Sequence, residues 1–350
     1  MKRNKKNPKR ILLVRTDRIG DVVLTTPAIR AVRQSLPESF LAMMVRPYSV
    51  EVVKNNPHLD EVIVYDKRGK HKTFWNSFKF VRDLRKKEFD LAFVFHPTNR
   101  VNIITFLAGI PERIGYNRKC GFLLTKKLPD EKFKGEKHEI EYNLEVIAAR
   151  GISAANKEVE MVVSQEEENF ALKFFQGNGL DRKIPLVAIQ PGASCPSKRW
   201  PVERFAEVGK KLMESFPVKI IIIGSNEEGP LLERLRRLLG EKAVIVQGLA
   251  LGNVGAILKQ AQLFISNDTG PVHIAAAMKT PCLVIFGRKQ PGLSPRRWRP
   301  RGREHIIFHK DPGCQVCLAH SCDKGFQCLK AITVFEVFQA AQKILGGVND

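Results

Sequence analysis

Nine short apolar runs of β type, alternating with segments of helical period, limit what this chain can fold into more than any other feature of its sequence. In the first half they are residues 11–14, 40–45, 62–65 and 91–95, with helical segments after Asp21 and over 74–87, 99–108 and 139–149. The second half repeats the alternation with runs at 186–190, 219–223, 243–246, 263–266 and 282–286, and helices over 166–175, 202–216, 230–239, 254–260 and 272–278. Strands joined through helices predict parallel sheets covered on both faces. Ile220-Ile221-Ile222-Ile223, with no polar side at all, is what a strand buried on both faces requires. The class is therefore α/β and doubly wound. At 350 residues and 43% hydrophobic content the chain can fill one large core or two medium ones, and the repeated alternation favours two. The boundary is expected in the loop at 151–158, giving domains 1–155 and 156–350. The second domain starts near the capping box Ser164-x-x-Glu167, and its last helix opens on Thr333-x-x-Glu336.

In doubly wound sheets ligands bind beyond the carboxyl ends of the strands, so the loops there carry the chemistry. After the run at 263–266 comes Asn267-Asp268-Thr269-Gly270-Pro271-Val272-His273. A strand that restarts here as a helix leaves backbone N–H groups unpaired at a positive helix end, a cradle for an anion. Asp268, Thr269 and His273 add a carboxylate, a hydroxyl and an imidazole, which suits a phosphate-bearing ligand with hydroxyls; an ordinary helix cap uses the same residues. After the first run comes Arg15-Thr16-Asp17-Arg18-Ile19-Gly20-Asp21, where Gly20 suits a tight turn and Asp21 falls in the first helical turn. Pro27 either kinks that helix or starts a new one. After 186–190 comes Pro191-Gly192-Ala193-Ser194-Cys195-Pro196-Ser197-Lys198-Arg199, with the hydroxyls and cations of a diphosphate grip. After 219–223, Glu227 and Glu228 can accept from ribose hydroxyls or simply begin a helix. No G-x-G-x-x-G follows the first strand, and no P-loop, H-E-x-x-H or D-x-D motif occurs. This argues against a nicotinamide dehydrogenase, a P-loop ATPase and a zinc protease.

The net charge of +22 asks for an anionic partner. Residues 1–150 carry 31 Lys and Arg against 17 Asp and Glu, the rest 27 against 19. The basic runs at 2–10, 67–72 and 82–87 are not interleaved with aromatic residues and no nucleic-acid module is recognisable, which disfavours nucleic acid. The apolar run after the basic start is stopped by Arg15, too short for a signal peptide, and no segment approaches a membrane span. A cytoplasmic protein, soluble or peripherally attached, is expected, with reduced thiols.

Taken in order, I-L-L-V-R-T-D-R-I-G-D-V-V-L-T-T-P-A (11–28), I-Q-P-G-A-S-C-P-S-K-R-W-P (189–201), I-I-I-I-G-S-N-E-E (220–228) and F-I-S-N-D-T-G-P-V-H-I-A-A-A (264–277) resemble the ADP-heptose:lipopolysaccharide heptosyltransferases over residues 10–345. The resemblance implies a GT-B fold, two Rossmann-like domains facing across a cleft, and inverting transfer without a metal. It implies Asp21 as catalytic base, with Arg18 and Gly20 on the acceptor or phosphate side. Lys198, with Ser194 and Ser197, would bind the donor diphosphate together with Asp268, Thr269 and Gly270; His273 would support that turn. Glu227 or Glu228 would hold the adenosine ribose. Gly287-Arg288-Lys289 departs from the family pattern, which has small or hydroxyl residues there. ADP-heptose and the lipopolysaccharide inner core are the implied partners, and the anionic inner face of the inner membrane accounts for the charge. No cofactor is implied for catalysis. Cys314, Cys317, Cys322 and Cys328 have the number and softness for a structural zinc, although their spacing matches no standard signature closely.

Overall fold

The computed structural model describes residues 8–240 and 242–347, so most of the basic run at 2–10 lies outside the described residues. The chain forms two compact units, one from its start to Phe133 with Lys137–Val162, the other from Lys134–Glu136 with everything from Val163 on. The change of unit thus falls several residues beyond the loop at 151–158.

The first unit holds the strands β1 (Arg10–Val14), β2 (Phe40–Val45), β3 (Glu61–Val64), β4 (Leu91–Val94), β5 (Glu112–Tyr116) and β6 (Lys126–Leu128). They pair in parallel in the order β3-β2-β1-β4-β5-β6. Its helices are α1 (Ile19–Val23), α2 (Thr26–Ser35), α3 (Val50–Val53), α4 (Phe74–Arg85), α5 (Asn99–Leu107) and α6 (Glu139–Ala148). The second unit has β7 (Leu186–Gln190), β8 (Lys219–Gly224), β9 (Val244–Gln247), β10 (Leu263–Asn267), β11 (Cys282–Phe286) and β12 (Ile306–His309). Its parallel order is β12-β11-β10-β7-β8-β9, the same succession read from the other edge. Its helices are α7 (Gln165–Gly177), α8 (Val202–Ser215), α9 (Gly229–Leu239), α10 (Leu251–Leu258), α11 (Gly270–Ala277), α12 (Pro295–Trp298), α13 (Gln327–Lys330) and α14 (Val334–Gly346).

Central strands β1, β4, β7, β10 and β11 are buried almost without interruption, as their unbroken apolar runs require. The three strands without a clear sequence signal, β5, β6 and β12, lie toward or at sheet edges. Lys126-Lys127-Leu128 is polar because β6 is an edge strand that faces water on one side, whereas Glu112-Arg113-Ile114-Gly115-Tyr116 is paired on both sides and owes its weak signal to the polar, half-buried Glu112 and Arg113. Both predicted capping boxes form, Ser164 with Glu167 and Thr333 with Glu336. Pro27 sits in the first turn of α2, after α1 has ended at Val23, so it opens a helix and kinks none. Among the described residues no helix is long and apolar enough to cross a membrane.

Ile222 is fully buried in the second core, between Ile189 of β7 and β9. Ile222→Ala is expected to lower unfolding free energy by ~2–5 kcal/mol, read from the urea midpoint of the second unit's transition.

Candidate functional site

In the first sheet the strand order reverses between β1 and β4, which opens a crevice between the loops that follow them. The loop after β1 begins with Arg15, which is buried. A buried guanidinium must have its donors met. Its Nε donates to Asp17 Oδ1 (2.8 Å) and its Nη2 to Asp21 Oδ1 (2.5 Å). Both Nη groups donate to Glu139 Oε1 (3.1 and 3.0 Å), and Nη1 also to Asn143 Oδ1 (2.9 Å). Glu139 is the first residue of α6, and Lys132 Nζ reaches the same oxygen at 2.9 Å. Three carboxylates therefore share two cations in one cluster.

Asp21, in the first turn of α1, is buried. Burial pushes its pKa up to about 6, assisted by the like charges of Asp17 and Glu139 and opposed by Arg15. A carboxylate that only complements a helix dipole needs neither burial nor these neighbours. His96, just past β4, has its Nδ1 3.8 Å from Asp17 Oδ2. Burial first, then the charge of Arg15, hold its pKa down to about 4, so the ring is neutral at physiological pH. Arg18 is exposed at the N-cap position of α1, and its side chain caps nothing. Gly20 is buried inside α1 without a positive φ. The turn expected of Gly20 is made instead by extended Arg18 (φ −97°, ψ 163°), because the helix already begins at Ile19.

In the second sheet the reversal falls between β7 and β10. Asn267, at the end of β10, donates to Pro191 O (2.8 Å) and accepts from Trp200 N (3.0 Å), which ties the loop after β7 to the junction before α11. Thr269 is the N-cap residue of α11, but its hydroxyl donates to Gln190 Oε1 (2.9 Å) and does not cap the helix. The first-turn N–H groups of α11, beginning at Gly270, thus have no side-chain cap and keep their positive end. Lys198 Nζ lies 2.7 Å from Asp268 Oδ2 and 2.9 Å from Asp268 O. Arg288 Nη2 lies 2.8 Å from the same Oδ2. All three side chains are buried. Asp268 therefore holds two cations side by side, and the trio keeps a net positive charge.

Arg288, which sequence reasoning saw only as a departure from pattern, stands just past β11, the strand next to β10. That position was its one available signal. Ser197 is buried with its Oγ 3.2 Å from His320 Nδ1, whereas Ser194 is exposed in the same loop. A Cβ at Gly192 would lie 1.8 Å from Glu228 Oε1, so this glycine makes room for the Glu228 carboxylate against the loop after β7. Its Oε2 accepts from Ser225 N (2.9 Å). Glu227 is exposed and its carboxylate is turned to the local backbone and Ser225. His273 is buried on α11. Cys314, Cys317, Cys322 and Cys328 line one cavity of about 40 Å³ with Ser197 and Arg288. All four are free thiols, and among the described residues no three His, Cys, Asp or Glu side chains are placed to hold a metal ion. The expected zinc set is not assembled. Around Cys317, burial raises the thiol pKa, but the N–H groups of Lys289, Ala319 and Gln290 with the Arg288 charge outweigh it and hold the thiol below its ordinary value.

The profile of glycosyltransferase family 9 (heptosyltransferase) matches residues 77–326. The chain belongs to this family. Lipopolysaccharide heptosyltransferase 3 of Escherichia coli strain K12 is 25% identical over 338 residues, covering 93% of this chain and 95% of that protein. A glycosyl transferase family 9 structure from Veillonella parvula superposes with a TM-score of 0.85 at 23% identity, over 96% of this chain and 97% of its own. The E. coli heptosyltransferase WaaC with ADP superposes with a TM-score of 0.73 at 20% identity, over 96% and 99%. The fold is GT-B, and this family 9 glycosyltransferase is an enzyme.

Since Glu139 adds a like charge beside Asp21, Glu139→Gln should lower the Asp21 pKa. The acid limb of kcat/KM is expected to move to lower pH, and carboxyl-carbon NMR of Asp21 to titrate in the same direction. An unmoved limb would separate the two residues.

Proposed function

We propose that the enzyme moves a heptose from ADP-L-glycero-D-manno-heptose to the inner core of lipopolysaccharide, onto Kdo or the first heptose, with inversion and without a metal ion. Asp21 carries this reading: a buried carboxylate at the ligand end of a sheet, with a pKa of about 6, suits a general base for a sugar hydroxyl. In the proposed step the acceptor oxygen gives its proton to Asp21 and forms a bond to the anomeric carbon. The bond from that carbon to the β-phosphate oxygen breaks on the opposite face, and ADP leaves. Lys198, Arg288 and the uncapped start of α11 would offset its charge. Ser194, Thr269 and Gly270 would complete that cradle, Asp268 holding its cations and Ser197 and His273 its loop and turn. Glu228, with Glu227 beside it, would accept from the adenosine ribose. Arg18 would meet an acidic group of the acceptor, near Gly20.

The names of similar proteins support the substrate class: WaaC was solved with ADP, and the E. coli relative is a lipopolysaccharide heptosyltransferase. The basic first unit fits work on the cytoplasmic, anionic face of the inner membrane, with no part for nucleic acid. A second reading, transfer of another nucleotide sugar to a cell-surface glycan, is favoured by Arg288 standing where the family pattern has a small or hydroxyl residue. A mass-spectrometric assay of several nucleotide sugars against defined core acceptors decides between them, and absence of transfer from ADP-heptose would sink the first.

Asp21→Asn should fold, bind ADP as the parent does and lose at least about a hundred-fold in transfer rate. Because the base must be ionised, the parent's rate should fall as pH drops through about 6 and stay level above it, and the variant should lack this limb. Lys198→Ala and Arg288→Ala should each weaken ADP binding roughly ten-fold in calorimetric titration, the effect of losing a charge-assisted hydrogen bond.

A further inference from the structure

The first unit exposes large apolar side chains that its core does not use. On α4, Phe74 is 75%, Trp75 76% and Phe78 55% exposed, while Phe80, Val81 and Leu84 of the same helix are buried. Helical spacing puts Phe74 and Trp75 one turn from Phe78, on a stripe that adjoins the buried one. The rings of Phe74 and Trp75 meet edge to face with centroids 5.7 Å apart. Neighbouring α5 exposes Phe106 and Leu107 on its outer side, and the turn at Gly121–Leu123, packed against α5, exposes Phe122 at 73%. Arg100, in the first turn of α5, donates to Lys67 O and Lys72 O and so ties α5 to the loop that leads into α4. Exposed apolar side chains in such a group mark an interaction surface.

The charge around them identifies the partner. Residues 67–87 hold nine Lys and Arg against one acid, Asp83. Arg68, Lys70, Lys72, Lys79, Arg82 and Lys86 are exposed and make no ion pair among the described residues; Lys87 alone of this stretch is paired, with Glu61. The basic runs at 67–72 and 82–87 contain no aromatic residue, as read from the sequence, but the three exposed rings of α4 lie between them. Trp and Phe on one stripe with Lys and Arg around them is the composition of a helix that rests in a bilayer interface. A second copy of the chain would bring a like-charged face and be repelled.

We propose that the outer face of α4, α5 and the turn at Gly121–Leu123 docks on an anionic lipid bilayer, with Phe74, Trp75 and Phe78 in the interfacial layer and the surrounding cations on the headgroups. The proposal rests on the reading that the acceptor is carried by a membrane lipid, and it names the surface that brings the enzyme there. Each cation near an anionic leaflet adds to attraction that salt weakens, whereas burial of the rings is insensitive to salt.

Flotation of the full chain with vesicles of phosphatidylcholine, with and without phosphatidylglycerol, tests it. The parent is expected to float only with the anionic vesicles, and less so at high salt. Trp75→Ser combined with Phe78→Ser should keep the parent's urea midpoint, since both side chains are exposed, and partition at least about ten-fold more weakly, as when two aromatic side chains no longer leave water. A parent that does not float, or a double variant that floats as well as the parent, overturns the proposal. Retention of the parent on polyglutamate or a single-stranded oligonucleotide, without vesicle binding, overturns it in favour of an acidic macromolecule. Transfer to a lipid-free core oligosaccharide, measured on the same preparations, should be equal in parent and variant. A parent that floats but transfers no heptose fails the functional reading and leaves the surface standing.

Discussion

Both halves of this enzyme depend on where strand order reverses in a fully parallel sheet. Parallel strands must be joined by crossovers, and when successive crossovers leave in opposite directions their loops part at the carboxyl end. The gap lies between β1 and β4 in one unit and between β7 and β10 in the other. Every residue given a chemical role near Asp21 or Asp268 reaches one of these gaps. Arg15 and His96 follow the two strands of the first, Lys198 and Asp268 those of the second. The central strands are aliphatic because helices cover both faces, so polar groups appear as soon as each strand ends.

The two gaps handle buried charge in opposite ways. Around Arg15 there is an excess of carboxylate, and this excess, added to burial, keeps Asp21 basic. Around Asp268 there is an excess of cation, held by one carboxylate that fixes the positions of Lys198 and Arg288. Breaking such a buried group by removing one partner leaves an uncompensated charge, which is why single substitutions there affect more than the residue removed. Gln190 has a comparable part without charge: by accepting from Thr269 it withdraws the hydroxyl that would otherwise cap α11.

Much of this was legible in the sequence, and the exceptions have physical reasons. Buried strands announce themselves as aliphatic runs; β6, with one apolar residue in three, does not. Asp21 and Lys198 could be singled out because each lies in a loop directly after a recognisable strand. Glu139 could not, since its importance comes from Arg15, 124 positions earlier in the chain. Arg288 was visible as an oddity of pattern, but only its distance to Asp268 explains it. Gly192 carried no sequence sign of its purpose, which is the space that Glu228 occupies. The four cysteines show the converse: close spacing along the chain brings them to one cavity, yet among the described residues they are not placed to hold a metal ion.

The identical succession of strands in the two sheets has a consequence for descent. Each unit carries its own reversal, its own loops and its own core, so neither unit borrows a strand from the other. Mutations that reshape the loops after β1 and β4 leave the register of β7 and β10 untouched. The loops of one unit can therefore change along a lineage while those of the other are inherited unchanged.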